Sequence, residues 1–132
     1  DRVIVANQES EKAHKMEAVF SSNGRDWRDA NKGGYFMYEL KVLPGVKQSL
    51  CLQLFGSDGG NRVFDVLIDG KPIQTLDLST PNPECPGLYR RYIEIPDSCI
   101  ASKNAVTVKF QAKNGSTAGG IFDVRIIKRD DV

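Results

Sequence analysis

The sequence has little of what catalytic and metal centres are usually built from. Among 132 residues there is one histidine, His14, and three cysteines, at 51, 85 and 99. No C-x-x-C spacing occurs, so a zinc site of the usual kind is not expected. The odd cysteine count excludes a disulfide framework as the main source of stability, and leaves a Cys85–Cys99 bridge open. Cys51, in LCLQLF, reads as a buried small apolar residue. His14 lies in a charged segment with no nucleophile motif and reads as a surface or loop residue. Neither G-x-S-x-G nor H-E-x-x-H is present. Triads are assembled in three dimensions, so spacing alone does not exclude one. Asp65 and Asp69 would share a strand face about 13 Å apart, wider than either glycosidase geometry. An excess of one charge is also missing, with 18 basic against 17 acidic residues and a net charge of +1. Nothing here forms an electrostatic footprint for nucleic acid. No apolar run approaches the length needed to span a bilayer, so no membrane partner is expected. The sequence starts at Asp1 without a signal peptide and reads as a mature or excised piece.

What is present is strand pattern. Residues 59–78, GGNRVFDVLIDGKPIQTLDL, alternate on both sides of Asp69-Gly70. Period-two alternation with β-branched and aromatic residues argues half-buried strands, and Asp-Gly is a strong hairpin signal. Further strands are expected over 1–6, 16–21, 35–43, 50–55, 88–95, 105–113 and 121–128. Residues 7–15 are polar without a period, and 22–34 read as a long connection. Pro44-Gly45 reads as a turn, and the three prolines of 79–87 as a loop that cannot join a ladder. One helical turn is expected over 96–102, started by Pro96. Loops are expected at 56–60 and 114–120, and a charged tail over the last four residues. About eight short strands with almost no helix predict an all-β antiparallel β-sandwich, best fitted by a jelly roll. No repeat or linker divides the chain, so residues 1–132 read as one domain.

The order YFMYELKVLPG, LCLQLFG, RVFDVLIDGKPI, IEIPDSCIASKNAVTVKFQAK and GIFDVRIIK resembles a galactose-binding-like jelly roll, the group that includes family 6 and family 35 carbohydrate-binding modules. More narrowly, DRVIVANQESEKAH, GRDWRDANKGGYFMYELKV, GGNRVFDVLIDG and STAGGIFDVRII are similar to the C-terminal accessory β-domain of secreted Bacteroides-type β-L-arabinofuranosidase-like glycoside hydrolases. The resemblance implies a non-catalytic accessory module of a larger hydrolase, secreted, periplasmic or on the cell surface. Its expected partners are the catalytic domain and a plant or host glycan. The alternative is a purely structural domain that packs on the catalytic domain and binds no sugar.

Candidate binding residues lie in three loops. GRDWRD holds the single tryptophan, Trp27, beside Arg28. An aromatic platform with a few placed polar groups suits a sugar; equally, Trp27 can plug the end of the sandwich while Arg28 pairs with Asp26 or Asp29. GSDGGNR offers Asp58, Asn61 and Arg62, and NGSTAGG offers Asn114 and Thr117. The alternative for both is that the glycines only make tight turns. Asp123 stands inside the apolar strand IFDVRII and should be paired or metal-bound if buried. The resemblance implies a structural calcium here, with Glu9, Glu11 and Glu17 as the other candidates. Otherwise Asp123 faces solvent or pairs with Arg62 or Arg125.

Overall fold

The computed structural model describes residues 1–129. Among the described residues nine strands form, every pair antiparallel. In chain order they are β1 (Arg2–Val3), β2 (Glu17–Asn23), β3 (Arg28–Lys41), β4 (Gln48–Phe55), β5 (Val63–Ile68), β6 (Lys71–Asp77), β7 (Leu88–Glu94), β8 (Ala105–Ala112) and β9 (Ala118–Lys128). Among the described residues the α-helices are α1 (Gln8–Ala13) and α2 (Asp97–Ile100). The hydrogen-bonded path runs β6-β5-β8-β3-β9-β4-β7, with β1 beside β9 and β2 beside β3. The architecture is a jelly-roll β-sandwich, closed almost to a barrel by β3. The Tyr35–Lys41 part of β3 pairs with β8, while Arg28 and Ala30 pair with β9.

The central hairpin forms as the alternation predicts. Phe64, Val66 and Ile68 are buried while Val63, Asp65 and Leu67 are partly open. Asp69 and Gly70 turn the chain at φ +48° and +82°. Both angles are positive, as the right-handed twist of a two-residue hairpin requires, and glycine meets that at no steric cost. The Asp69 carboxylate also accepts from the Thr107 N–H at 2.8 Å and from Lys103 Nζ at 2.9 Å, tying the turn to the start of β8. One contiguous apolar core joins the layers. At its centre the rings of Phe36 and Phe110 lie 4.9 Å apart, with Phe64 edge-on to Phe110. Burying one such ring is worth about 1.5–3 kcal/mol.

Several boundaries differ from the pattern. Residues 22–34 are not a connection: β2 runs to Asn23 and β3 begins at Arg28. RDANKGG has no β-branched or aromatic residue. Pairing with β2 and β9 makes it a strand, not its own propensity. Residues 7–15 contain α1, started by Asn7, whose side chain accepts from the Ser10 N–H at 2.9 Å. Six residues are too few to show a helical period. β1 is two residues, shorter than 1–6, and β9 starts at Ala118 inside the expected 114–120 loop. α2 follows Pro96, within the helical turn expected there. All three cysteines are free. Cys85 packs against Gly56, just past the end of β4, whereas Cys99 is on α2, which follows Ile95, and Ile95 donates its N–H to the carbonyl of Gln48 at the start of β4; the two cysteines lie toward opposite ends of that strand, so a Cys85–Cys99 bridge cannot form. Of the expected charged tail, Arg129 is half-buried and donates to the Ile95 carbonyl at 3.1 Å; residues 130–132 lie outside the described residues.

Candidate functional site

Strand alternation decides where the GRDWRD side chains go. On β3, Arg28 and Ala30 are buried. Trp27 and Asp29, one residue out of phase, turn to the other side and line a cleft at the end of the sandwich. Phe55 ends β4, and Phe122 sits where the β4–β9 register shifts by one residue. Their rings lie 6.1 Å apart and tilted. With Leu88, at the start of β7, these rings wall a cleft of about 480 Å³. Asp29, Asp58 and Arg62 are its charged side chains, and Gly120 forms part of the wall.

The cleft is held open by its loops. Gly24 donates its N–H to the Trp27 carbonyl at 3.0 Å and lies under the indole: a Cβ on Gly24 would come within 2.3 Å of Trp27 Nε1. Half-buried Trp27 is therefore a supported ring, neither an interior plug nor a free flap. Arg62 braces two segments, donating from Nε to the Gly59 carbonyl at 2.8 Å and from Nη1 to the Gly119 carbonyl at 3.0 Å. Asp58 Oδ2 accepts from the Gly120 N–H at 3.3 Å, and Asp29 Oδ1 accepts from Ser22 Oγ at 3.1 Å. Among the described residues, neither carboxylate has a cationic partner.

Of the seven sequence candidates, Trp27, Asp58 and Arg62 line this cleft. Arg28 does not, because it belongs to the opposite strand face. Asn61 serves the neighbouring loop, donating to the Gly115 carbonyl at 3.2 Å and accepting from Ser116 Oγ at 2.7 Å. Asn114 and Thr117 lie outside the lining, and Thr117 uses its N–H on the Asn61 carbonyl at 2.9 Å. The sequence reading missed Asp29, Phe55, Leu88, Gly120 and Phe122. Asp29 entered the sequence reading only as a possible partner of Arg28. Phe55 and Phe122 read as ordinary strand residues, and only the register shift in β9 turns Phe122 toward the cleft.

The four calcium candidates are not brought together. Glu9 and Glu17 are exposed. Glu11 is buried and bound by Arg28, Nε to Oε2 and Nη2 to Oε1, both at 2.8 Å. Tyr38 donates its hydroxyl to the same Oε2 at 2.5 Å, and Arg28 Nη1 donates to Ser21 Oγ at 2.9 Å. Asp123 is also buried, and its two oxygens accept from Arg2 Nε at 2.8 Å and Arg125 Nε at 2.6 Å. It pairs with Arg125, one of the alternatives left open, and with Arg2, but not with Arg62. Calcium takes six to eight oxygens. Here the buried carboxylates already carry guanidinium partners, and no described group of three or more His, Cys, Asp or Glu side chains could hold a metal. The residues do not fit calcium. Burial alone would raise the Glu11 carboxyl; the hydrogen bonds from Arg28 and Tyr38 outweigh it and hold the group below its ordinary value. Burial and the Glu11 charge push the Tyr38 hydroxyl far up, so it stays a donor.

The chain belongs to the family described as "Family of unknown function (DUF6805)", which matches residues 1–127. No curated protein matches it. Among solved structures it is similar to a family 35 carbohydrate-binding module from Clostridium thermocellum, with TM-score 0.63 and 9% identity over 86% of this chain and 92% of that one. A family 35 module from an environmental isolate matches with TM-score 0.62 and 16% identity, over 81% and 76% of the two chains. The chain is also similar to part of BtGH115A, a 4-O-methyl-alpha-glucuronidase with specificity for decorated arabinogalactans. That match has TM-score 0.60 and 14% identity, over 89% of this chain but 17% of the enzyme. At these identities the likeness shows the fold.

Proposed function

We propose that this domain is a non-catalytic carbohydrate-binding module and that it takes a saccharide in the cleft between Trp27 and Asp58. The observation that carries the reading is the cleft itself. Aromatic walls for the C–H faces of a sugar ring stand beside two carboxylates without cationic partners and a guanidinium already fixed in place. The likeness of the fold to family 35 carbohydrate-binding modules supports the non-catalytic part of this reading. Similarity to a fraction of a larger glycosidase supports an accessory place in a hydrolase; that hydrolase would be secreted, periplasmic or at the cell surface. The catalytic domain of that parent enzyme and a plant or host glycan are then the partners. A small sugar offers little apolar area against its desolvated hydroxyls, so affinity falls in the micromolar to millimolar range, roughly −4 to −8 kcal/mol.

A glycan array on the isolated domain, followed by calorimetric titration of the best ligand, tests this. Trp27→Ala and Arg62→Ala are each titrated and melted in parallel. If both stay folded and bind as tightly as the parent, the cleft is not the site. The competing reading, a scaffold that packs on the catalytic domain without binding sugar, draws on exposed Val19 and Phe20 of β2. An array that retains nothing favours it.

A further inference from the structure

Resting on the reading of the cleft as a saccharide site, we propose that the site continues over the arginine-bearing outer face of β7, β4, β9 and β1. This face holds the carboxylates of an acidic glycan chain, one unit of which lies in the cleft. The strand registers make the two surfaces one. Phe55 and Leu88, opposite each other on β4 and β7, wall the cleft. Two residues further along, Gln53 lies between Arg90 and Asp123. Two further again, Cys51 lies between Tyr92 and Arg125, with Arg2 beyond. Leu50, Leu52 and Leu54 take the core side of β4, so this row is on the side turned away from the core. At the usual strand rise Tyr92 stands about 13 Å from Leu88, a span for several linked sugars and not for one.

The charges on these strands are uneven. They carry five cationic side chains, Arg2, Arg90, Arg91, Arg125 and Lys128, against two carboxylates, Asp123 and Glu94. On β5, β6 and β8 there are two of each sign. Asp123 is buried, with one oxygen on Arg2 Nε and the other on Arg125 Nε. It therefore fixes two guanidiniums side by side over a single negative charge. Among the described residues their Nη groups make no hydrogen bond. Arg90 is exposed and has no carboxylate partner among the described residues, whereas Glu94 has Arg129 Nη1 at 3.7 Å. Burial pushes the Cys51 thiol up against the pull of Arg90 and Arg125, two cations acting on one residue of the row. Guanidiniums already held in place lose little freedom on binding, and their planar N–H forks match a carboxylate. Tyr92, 44% exposed beside them, adds a ring for stacking. In the cleft an anion would instead meet Asp29 and Asp58, so its place is on the arginine face.

The test compares chains that differ in charge. Polygalacturonate and its fully methyl-esterified form are titrated calorimetrically into the intact domain, with dextran sulfate and dextran as a second pair, beside a glycan array. Polygalacturonate should bind about tenfold more tightly than its ester at low salt, and the gap should close toward about 1 M salt. Arg90→Gln, melted in parallel, should remove most of the gap and leave the ester unchanged. Lys71→Gln, the same charge change on β6, should leave the gap as it is. Trp27→Ala should weaken both polymers, since one chain occupies both surfaces. Five results overturn this inference: no gap, an equal loss in the two glutamine variants, polygalacturonate binding untouched by Trp27→Ala, a gap with dextran sulfate alone, or an array that retains only uncharged glycans. Saccharide binding in the cleft still stands if an uncharged glycan is retained and Trp27→Ala weakens it. No saturable binding of any polymer and no glycan retained on the array overturns both.

Discussion

Two regions of this molecule use the same chemistry to opposite ends. At the N-terminal corner, Glu11 and Arg28 spend their charges on each other, with Tyr38 completing the carboxylate. At the cleft, Asp29, one strand face away, and Asp58, in the loop after β4, have no cationic partner among the described residues. A buried charge is tolerated when its partners are built in. A partly open one is available to something outside the chain. Charged residues in the sequence therefore divide by whether their partners are internal, and the phase of β3 makes that division between neighbours in the chain.

The largest effect should come from breaking the internal pair. Arg28→Met leaves Glu11 as a lone buried charge and should cost about 3–5 kcal/mol, read as a drop in denaturation midpoint. The double variant Glu11→Gln, Arg28→Met removes both charges and should recover part of that loss. Equal losses in the single and double variants would erase the distinction between the two regions.

Next comes the platform. Trp27→Ala should weaken an identified glycan by about 2 kcal/mol or more, roughly thirtyfold, while lowering the melting temperature less than Arg28→Met does. A larger stability loss than that of Arg28→Met would make the ring a structural element.

Acid should sharpen the contrast further. The folded state holds Glu11 below its ordinary carboxyl value, so its contribution is complete above the unfolded value and disappears as pH falls through the folded one. Melting curves of the parent and Glu11→Gln should therefore converge below about pH 4. Asp65, held down by the Thr75 hydroxyl and by Lys113, acts in the same direction but is more exposed. A constant gap across that range would remove Glu11 ionisation from the account.

The smallest effect should be at a pair that is open to water on both sides. Lys47 Nζ and Asp97 lie 3.1 Å apart with side chains 65% and 66% exposed. Lys47→Ala should change stability by about 1 kcal/mol or less.

The sequence carried the fold further than the site. The alternation of 63–68 before Asp69-Gly70, and that of 105–112, reports burial directly, because every second residue enters the core; in β6, past a register shift, only Leu76 is buried. The polar start of β3 was invisible for the complementary reason: its strand state is imposed by pairing with β2 and with β9, the latter distant in the chain. Trp27 drew attention as a rare residue, and Asp58 and Arg62 as polar residues in a glycine-rich loop. Phe55 and Phe122 gave no signal, since an aromatic on a strand is ordinary until the register that aims it is known. The ion pairs were the least legible. Glu11 meets Arg28 across 17 positions and Arg2 meets Asp123 across 121, distances over which neither composition nor period carries information.

The alternation of Trp27, Arg28 and Asp29 also sets a rule of parity for anyone who would remodel the cleft. Arg28 and Ala30 are buried at the start of β3, and Gly34, Phe36, Tyr38 and Leu40 further on, while Trp27 and Asp29 serve the opening. Between the two runs Asn31 and Lys32 are both exposed, Lys32 and Gly33 take positive φ, and the pairing with β2 jumps from Ala30 to Tyr35. A residue inserted between Arg28 and Ala30 would put those two on opposite faces. One inserted at 31–33 meets a stretch already out of phase, so the strand under the cleft tolerates an odd edit only at its bulge.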